Sequence, residues 1–176
     1  MSQRDSGYDR KERDSYETPE WVTEALLPHL PITGGMIWEP AQGSGKMARV
    51  LATGGYAVLG TDIESGEDFF AMPPLDCHGI VTNPPYELAT QFVARALDLM
   101  KPRSGCVAML LRTDFDHASS RRCLFAACPA YAKKLVLTKR IKWFEDSKGS
   151  PSFNHAWFIW DWDHDGAPTI AYGPEV

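Results

Sequence analysis

The sequence contains no apolar run approaching the roughly 18 residues that a membrane helix needs. Its first stretch, MSQRDSGYDRKERDS, is polar with mixed charge, which suits neither a signal peptide nor an anchor. Residues 1–14 are expected to form a flexible arm. Metal and disulfide chemistry also lack their usual marks. The four cysteines, Cys77, Cys106, Cys123 and Cys128, include no CxxC pair, and no histidine lies at a ligand interval from two of them. They read as small buried hydrophobes in a reducing cytoplasm, with no metal expected. A phosphate loop is excluded as well. Gly45-Lys46 is followed by Met47, and the glycine that the GxxxxGK[ST] frame requires five residues before Gly45 is Pro40.

The chain has no general excess of positive charge, since its net charge is −5. The average hides one asymmetry. From Lys133 to Lys148 six cations (Lys133, Lys134, Lys139, Arg140, Lys142 and Lys148) face Glu145 and Asp146, a local +4 that leaves −9 for the rest. That segment is a candidate anion-facing patch.

What is present suits one well-filled core. With 176 residues, 44% hydrophobic and 23% charged, a single domain over 15–176 is expected, with 139–154 as a loop that contacts substrate. No internal repeat or low-complexity segment is visible. Short apolar runs alternate with stretches of helical spacing, the pattern of a mostly parallel sheet with helices on both faces, an α/β fold. Thr18-Pro19-Glu20 reads as a helix start, Thr18 as N-cap and Pro19 in the first helical position, with Pro28 as its end. Strands are expected at 36–38, 56–60, 79–82, 106–111, 135–137 and 156–160, and further helices at 46–53, 87–100 and 119–127. His155 and the run after it read as core strand.

Four polar residues fall at the C-terminal ends of these strands, the edge where open α/β sheets bind ligands: Glu39, Asp62, Asn83 and Arg112. Glu39-Pro40-Ala41-Gln42-Gly43-Ser44-Gly45 is an acid followed by a glycine-containing turn that opens a helix. Glycines there let a backbone pass close under a ligand, and the acid can accept from a ligand's hydroxyls or ammonium. Asp62 supplies a second acid where nucleoside-binding sheets hold ribose hydroxyls. Two carboxylates disfavour a pyrophosphate and suggest a nucleoside cofactor without a phosphate tail. Asn83-Pro84-Pro85-Tyr86 ends the third strand with an amide, two φ-restricted prolines and an aromatic ring.

In order, Tyr16-Glu17-Thr18-Pro19, Glu39-Pro40-Ala41-Gln42-Gly43-Ser44-Gly45 and Asn83-Pro84-Pro85-Tyr86 resemble the S-adenosylmethionine-dependent amino methyltransferases. The match is best with DNA adenine-N6 methyltransferases of gamma-like motif order. The PSFNHAWFIWD tail looks like small phage-encoded members. The resemblance covers roughly residues 14–115 by motif. It implies a Rossmann-like class I methyltransferase fold with a seven-stranded, mostly parallel sheet, S-adenosyl-L-methionine as cofactor, and DNA as partner through a flipped adenine. It also implies roles. Tyr16, Thr18 and Pro19 would lie near the cofactor's methionyl carboxylate, the backbone around Ala41 to Gly43 near its methionine portion, Asp62 at the ribose, and Asp68 and Phe69 at the adenine, with Glu39, Pro40, Gly45, Ile63 and Asn83 as further cofactor contacts. Phe70 is expected in the core. Asn83 and Pro84 would accept from the substrate amine, Pro85 would stiffen the corner, and Tyr86 would stack on the base.

No Pro-Cys-Gln segment is present, and Cys128-Pro129 has the reverse order, so cytosine C5 methylation through a covalent thiolate is not expected. Cations interleaved with aromatics suit a phosphate backbone and an unstacked base. Arg112, Lys139, Arg140, Lys142, Trp143, Phe144 and Phe153 are therefore candidate substrate contacts. The chain has no room for the separate recognition domain of sequence-specific relatives, so relaxed or short sequence specificity is expected. Amino groups of RNA adenine, cytosine N4 or protein glutamine are alternative acceptors, and an inactive cofactor-binding regulator is a further alternative.

Overall fold

Strands covered on both faces read as continuous apolar runs rather than as alternating ones. This explains GIVT and CVAMLL, which are buried throughout. The computed structural model describes residues 17–143 and 153–174. Seven strands, β1 (Met36–Glu39), β2 (Ala57–Gly60), β3 (Gly79–Thr82), β4 (Cys106–Arg112), β5 (Tyr131–Leu137), β6 (His155–Asp161) and β7 (Thr169–Gly173), form one sheet in the order β2-β1-β3-β4-β6-β5-β7. Only β6 opposes its neighbours β4 and β5; the other pairings are parallel. The α/β architecture expected from the sequence is thus observed.

Helices α1 (Glu20–Leu26) and α2 (Lys46–Thr53) cover one face, α3 (Ala89–Met100) the other. Alternate strand residues divide between them. Ile80, Val107, Met109, Phe158 and Trp160 pack with Phe92, Val93 and Ala96 of α3, whereas Ile37, Val81, Leu110 and Trp157 pack with Val22, Leu26 and Leu51. Each buried tryptophan N–H has a partner, as burial of a polar group requires: Trp38 donates to Thr61 Oγ1 (2.8 Å), Trp157 to the Val22 carbonyl (2.8 Å) and Trp160 to the Leu124 carbonyl (2.6 Å).

Several boundaries differ from expectation. Helix α1 begins one residue later: Pro19, at ψ 147°, occupies the cap position and Thr18 is a buried residue before it. Pro28 does not stop the chain at once but sits in a 3-10 turn over Leu27–His29. Residues 119–127 do not form an α-helix. A 3-10 run over Ser119–Leu124 ends instead with Leu124 and its neighbour Phe125 both turned into the core. The seven-strand count expected from the resemblance is observed, but the position of β7 was not anticipated, because it is a five-residue edge strand whose Ile170 and Tyr172 are exposed. Cys123 is exposed and Cys128 half-buried, so only Cys77 and Cys106 behave as core residues, their thiol pKa values pushed up by burial to about 11 and about 12. No described helix is long and apolar enough to cross a membrane.

Candidate active site

From β1 the chain runs to β2 on one side, then returns past β1 to β3 on the other. The crevice between the C-terminal ends of β1 and β3 is therefore a switch point, where open parallel sheets accommodate ligands. Glu39 ends β1 and Asn83 follows β3 directly. Since Trp38 pairs with Ile80, Glu39 lies level with Val81. Asn83 is two residues beyond, which places the two residues on the order of 8 Å apart on adjacent strands.

On the β1 side, Glu39 is only 2% exposed, and its Oε2 has no hydrogen-bond partner. Its carboxyl pKa is raised to about 8, first by burial and then by the Asp62 charge; the Ala48 N–H in the first turn of α2 acts in the opposite direction. The glycine turn beside it adopts left-handed backbone at Gly43 (φ 50°) and Gly45 (φ 74°). A Cβ added at Gly43 would meet only open space, so no side chain covers the turn at that position. Asp62 fixes this turn: its Oδ2 accepts from Gly43 N–H and its Oδ1 from Glu64 N–H, both at 2.9 Å. The segment before α1 reaches the same place through an ion pair of Glu17 with Lys46 at 2.6 Å. That contact lowers the Glu17 carboxyl pKa. Thr18, Pro19, Glu39, Pro40, Ala41, Gly43, Gly45 and Asp62 therefore gather around the first turn of α2. Tyr16 lies outside the described residues.

The adenine side is less simple. Asp68 uses Oδ1 to accept from Phe70 N–H at 2.9 Å. Phe69 is 2% exposed, edge-on to Trp38 (5.0 Å) and stacked on Phe92 (4.8 Å). The expected order of burial is reversed: Phe69 is the core ring and Phe70, 37% exposed, is the accessible one. Ile63 projects to solvent beside Asp62, 64% exposed.

On the β3 side, Pro84 is buried and the Asn83 Oδ1 atom is out of solvent's reach. Pro85 holds extended backbone (φ −57°, ψ 127°) before a 3-10 turn over Tyr86–Leu88 leads into α3. The Tyr86 hydroxyl and His155 Nε2 share a hydrogen bond of 2.9 Å. His155, 3% exposed, is the first residue of β6 and pairs with Arg112 in β4. Trp143 meets the His155 ring edge-on at 5.2 Å. The sequence had placed His155 in the core strand, which is correct for its backbone, but its side chain belongs to this corner. The one signal available was a single polar residue at the head of the apolar run AWFIW.

The candidate substrate contacts divide into small groups. Arg112 grips Asp114 through two bonds (3.1 and 2.8 Å) and lies over the Phe153 ring at 4.2 Å. Arg140 donates to Asn154 at 2.9 Å, Lys139 lies over the Trp21 ring at 5.1 Å, and Lys142 is exposed. Lys134 is taken out of the basic patch by its ion pair with Asp116 (2.9 Å). Phe144 and the stretch from Glu145 through Lys148 to Ser152 lie outside the described residues, as does the arm over 1–14.

No protein-family model matches the sequence, and neither does any curated protein. Solved structures do. The chain is similar to a protein assigned to the class I S-adenosylmethionine-dependent methyltransferases from Listeria monocytogenes (14% identity, TM-score 0.62), covering 88% of this chain and 65% of that one. It is similar to a type I restriction-modification methyltransferase subunit from Streptococcus thermophilus (13% identity, TM-score 0.55; 85% and 45%). A dimethyladenosine transferase from Plasmodium falciparum also matches (13% identity, TM-score 0.56; 80% and 60%). The chain thus spans between about half and two thirds of these proteins. At such identities the likeness establishes the Rossmann-like class I methyltransferase fold and no more.

Proposed function

We propose that this chain transfers the methyl group of S-adenosyl-L-methionine to the exocyclic N6 amine of adenine in DNA by direct attack, without a covalent enzyme intermediate. The observation that carries the reading is the juxtaposition across the β1/β3 crevice: a buried acidic side chain and open glycine turn on one side, and a stiff acceptor corner on the other. The donor set fits the cofactor. An unpartnered, buried Glu39 oxygen is costly unless a donor arrives, and an ammonium group supplies one. Asp62, already fixing the Gly43 backbone, has lone pairs left for hydroxyls.

When bound, S-adenosyl-L-methionine supplies an electrophilic methyl group on a sulfonium centre. The protein's own task is to make a poor nucleophile act. An adenine amine delocalises its lone pair into the ring. The Asn83 Oδ1 and the Pro84 carbonyl accept its two hydrogens and favour the positive charge that develops on nitrogen. Acceptors held in a dry, fixed corner need no reorganisation as that charge appears. The Tyr86 ring stacks on the base, which must leave the duplex for this edge to be reached. The cations Arg112, Arg140 and Lys142 suit a phosphate backbone, and the Phe153 ring beside Arg112 suits an unstacked base.

Incubation with methyl-labelled cofactor and separate samples of duplex DNA, single-stranded DNA, RNA and protein extract, followed by nucleoside analysis, tests the proposal. Label in N6-methyldeoxyadenosine is expected. Label confined to RNA, to cytosine or to protein contradicts the substrate assignment.

A further inference from the structure

We propose that His155 is a positioning residue for Tyr86: it holds the far end of the phenol ring and so sets, before any base arrives, the plane on which the base stacks. The inference rests on the functional reading above for its purpose, but its geometry stands apart from it. Two prolines and the 3-10 turn fix the main chain at Tyr86, leaving its side-chain torsions as the chief remaining freedom. The 2.9 Å bond to His155, 69 residues along the chain, removes that freedom at the hydroxyl. The two rings stand 6.0 Å apart and 30° from parallel.

The holder is itself rigid. His155 begins β6, paired with Arg112 of β4, and the residue after it, Ala156, pairs with both β4 and β5; Trp143 closes on its ring edge-on (84° between planes). Burial, and next the charge of Arg112, lower its pKa to about 4, so the ring is neutral near pH 7 and forms a neutral hydrogen bond. Packing alone gives no reason for an imidazole here. A phenylalanine would fill the volume at the head of the apolar run without the cost of burying a polar ring. The bond to Tyr86 offsets that cost at Nε2, while Nδ1 is buried without a hydrogen-bond partner, and the bond ties the strand next to β4 to the corner after β3.

The test is a double-mutant cycle of His155→Phe and Tyr86→Phe, with His155→Gln as the variant that keeps a hydrogen-bonding group. His155→Phe should lower kcat/KM for adenine-containing DNA about tenfold, the range that loss of orientation at a reacting group gives. The KM for cofactor should not change, and Gln should restore part of the loss. In the Tyr86→Phe background, His155→Phe should have almost no further effect. Losses that multiply, or a His155→Phe enzyme with unchanged kinetics, overturn the proposal. Nitrogen NMR of the histidine rings in the protein alone provides the second arm and serves any variant too weak to assay. Tyr86→Phe should move the His155 Nε2 resonance. An unmoved resonance overturns the coupling, whereas a wild-type protein that methylates no nucleic acid overturns the substrate reading and leaves the coupling to be decided by this resonance.

Discussion

Replacing Glu39 with glutamine should make the cofactor-free protein more stable while weakening its grip on the cofactor. The carboxyl is 2% exposed, and its pKa is raised from 4.5 to about 8, chiefly by burial. Below the unfolded value both states carry the proton and burial has no ionic penalty. As the pH rises towards 8 the unfolded chain ionises first, so this group's contribution to stability is lost over that interval. At about 1.4 kcal/mol per pH unit, the gap sets a ceiling of about 5 kcal/mol, of which about 3 kcal/mol develops between pH 5 and pH 8. Glutamine has the same shape, can still accept from the Ala48 N–H and never ionises. Urea denaturation of both proteins from pH 5 to pH 8 should show the variant's advantage growing by about 3 kcal/mol. Calorimetry at pH 7.5 should show cofactor binding weakened by about 10- to 100-fold, the loss of one charge-assisted hydrogen bond. A stability difference that does not change with pH refutes the burial argument. Unchanged cofactor affinity refutes the ligand role.

Asn83→Ala should abolish methyl transfer yet leave cofactor affinity within about threefold by calorimetry, because Asn83 is assigned to the amine. Joint substitution of Lys139, Arg140 and Lys142 by alanine should weaken DNA binding and lower the slope of its salt dependence by about 2 to 3, measured by fluorescence anisotropy across salt concentrations. An unchanged slope would place the DNA surface elsewhere. Trp157→Phe should cost about 1–2 kcal/mol in urea denaturation, since it removes the N–H donor that joins β6 to the Val22 carbonyl of α1.

The centre of the sheet was legible because its strands are buried on both faces: β3 matches its expected limits, Gly79–Thr82, residue for residue, and the amphipathic helix α2 does the same over Lys46–Thr53. Edges and caps were less so. Strand β7 shows solvent two large apolar side chains and has only one partner strand, so nothing in its five residues marks it out. At the site, local spacing placed Glu39, Asp62 and Asn83 on one rim, since a residue at a strand's end inherits the strand's position. The Tyr86–His155 bond joins residues 69 apart, and the β6 direction that permits it reverses the parallel order. The exchange between Phe69 and Phe70 has a similar origin: neighbouring residues in an irregular segment have no period to show which faces inward.

Nucleoside analysis of duplex DNA after incubation with the protein and methyl-labelled S-adenosyl-L-methionine, run beside Asn83→Ala, bears most directly on the central claim. The account predicts label in N6-methyldeoxyadenosine with the wild type and none with the variant. Label in another nucleoside, or equal labelling by the two proteins, contradicts it.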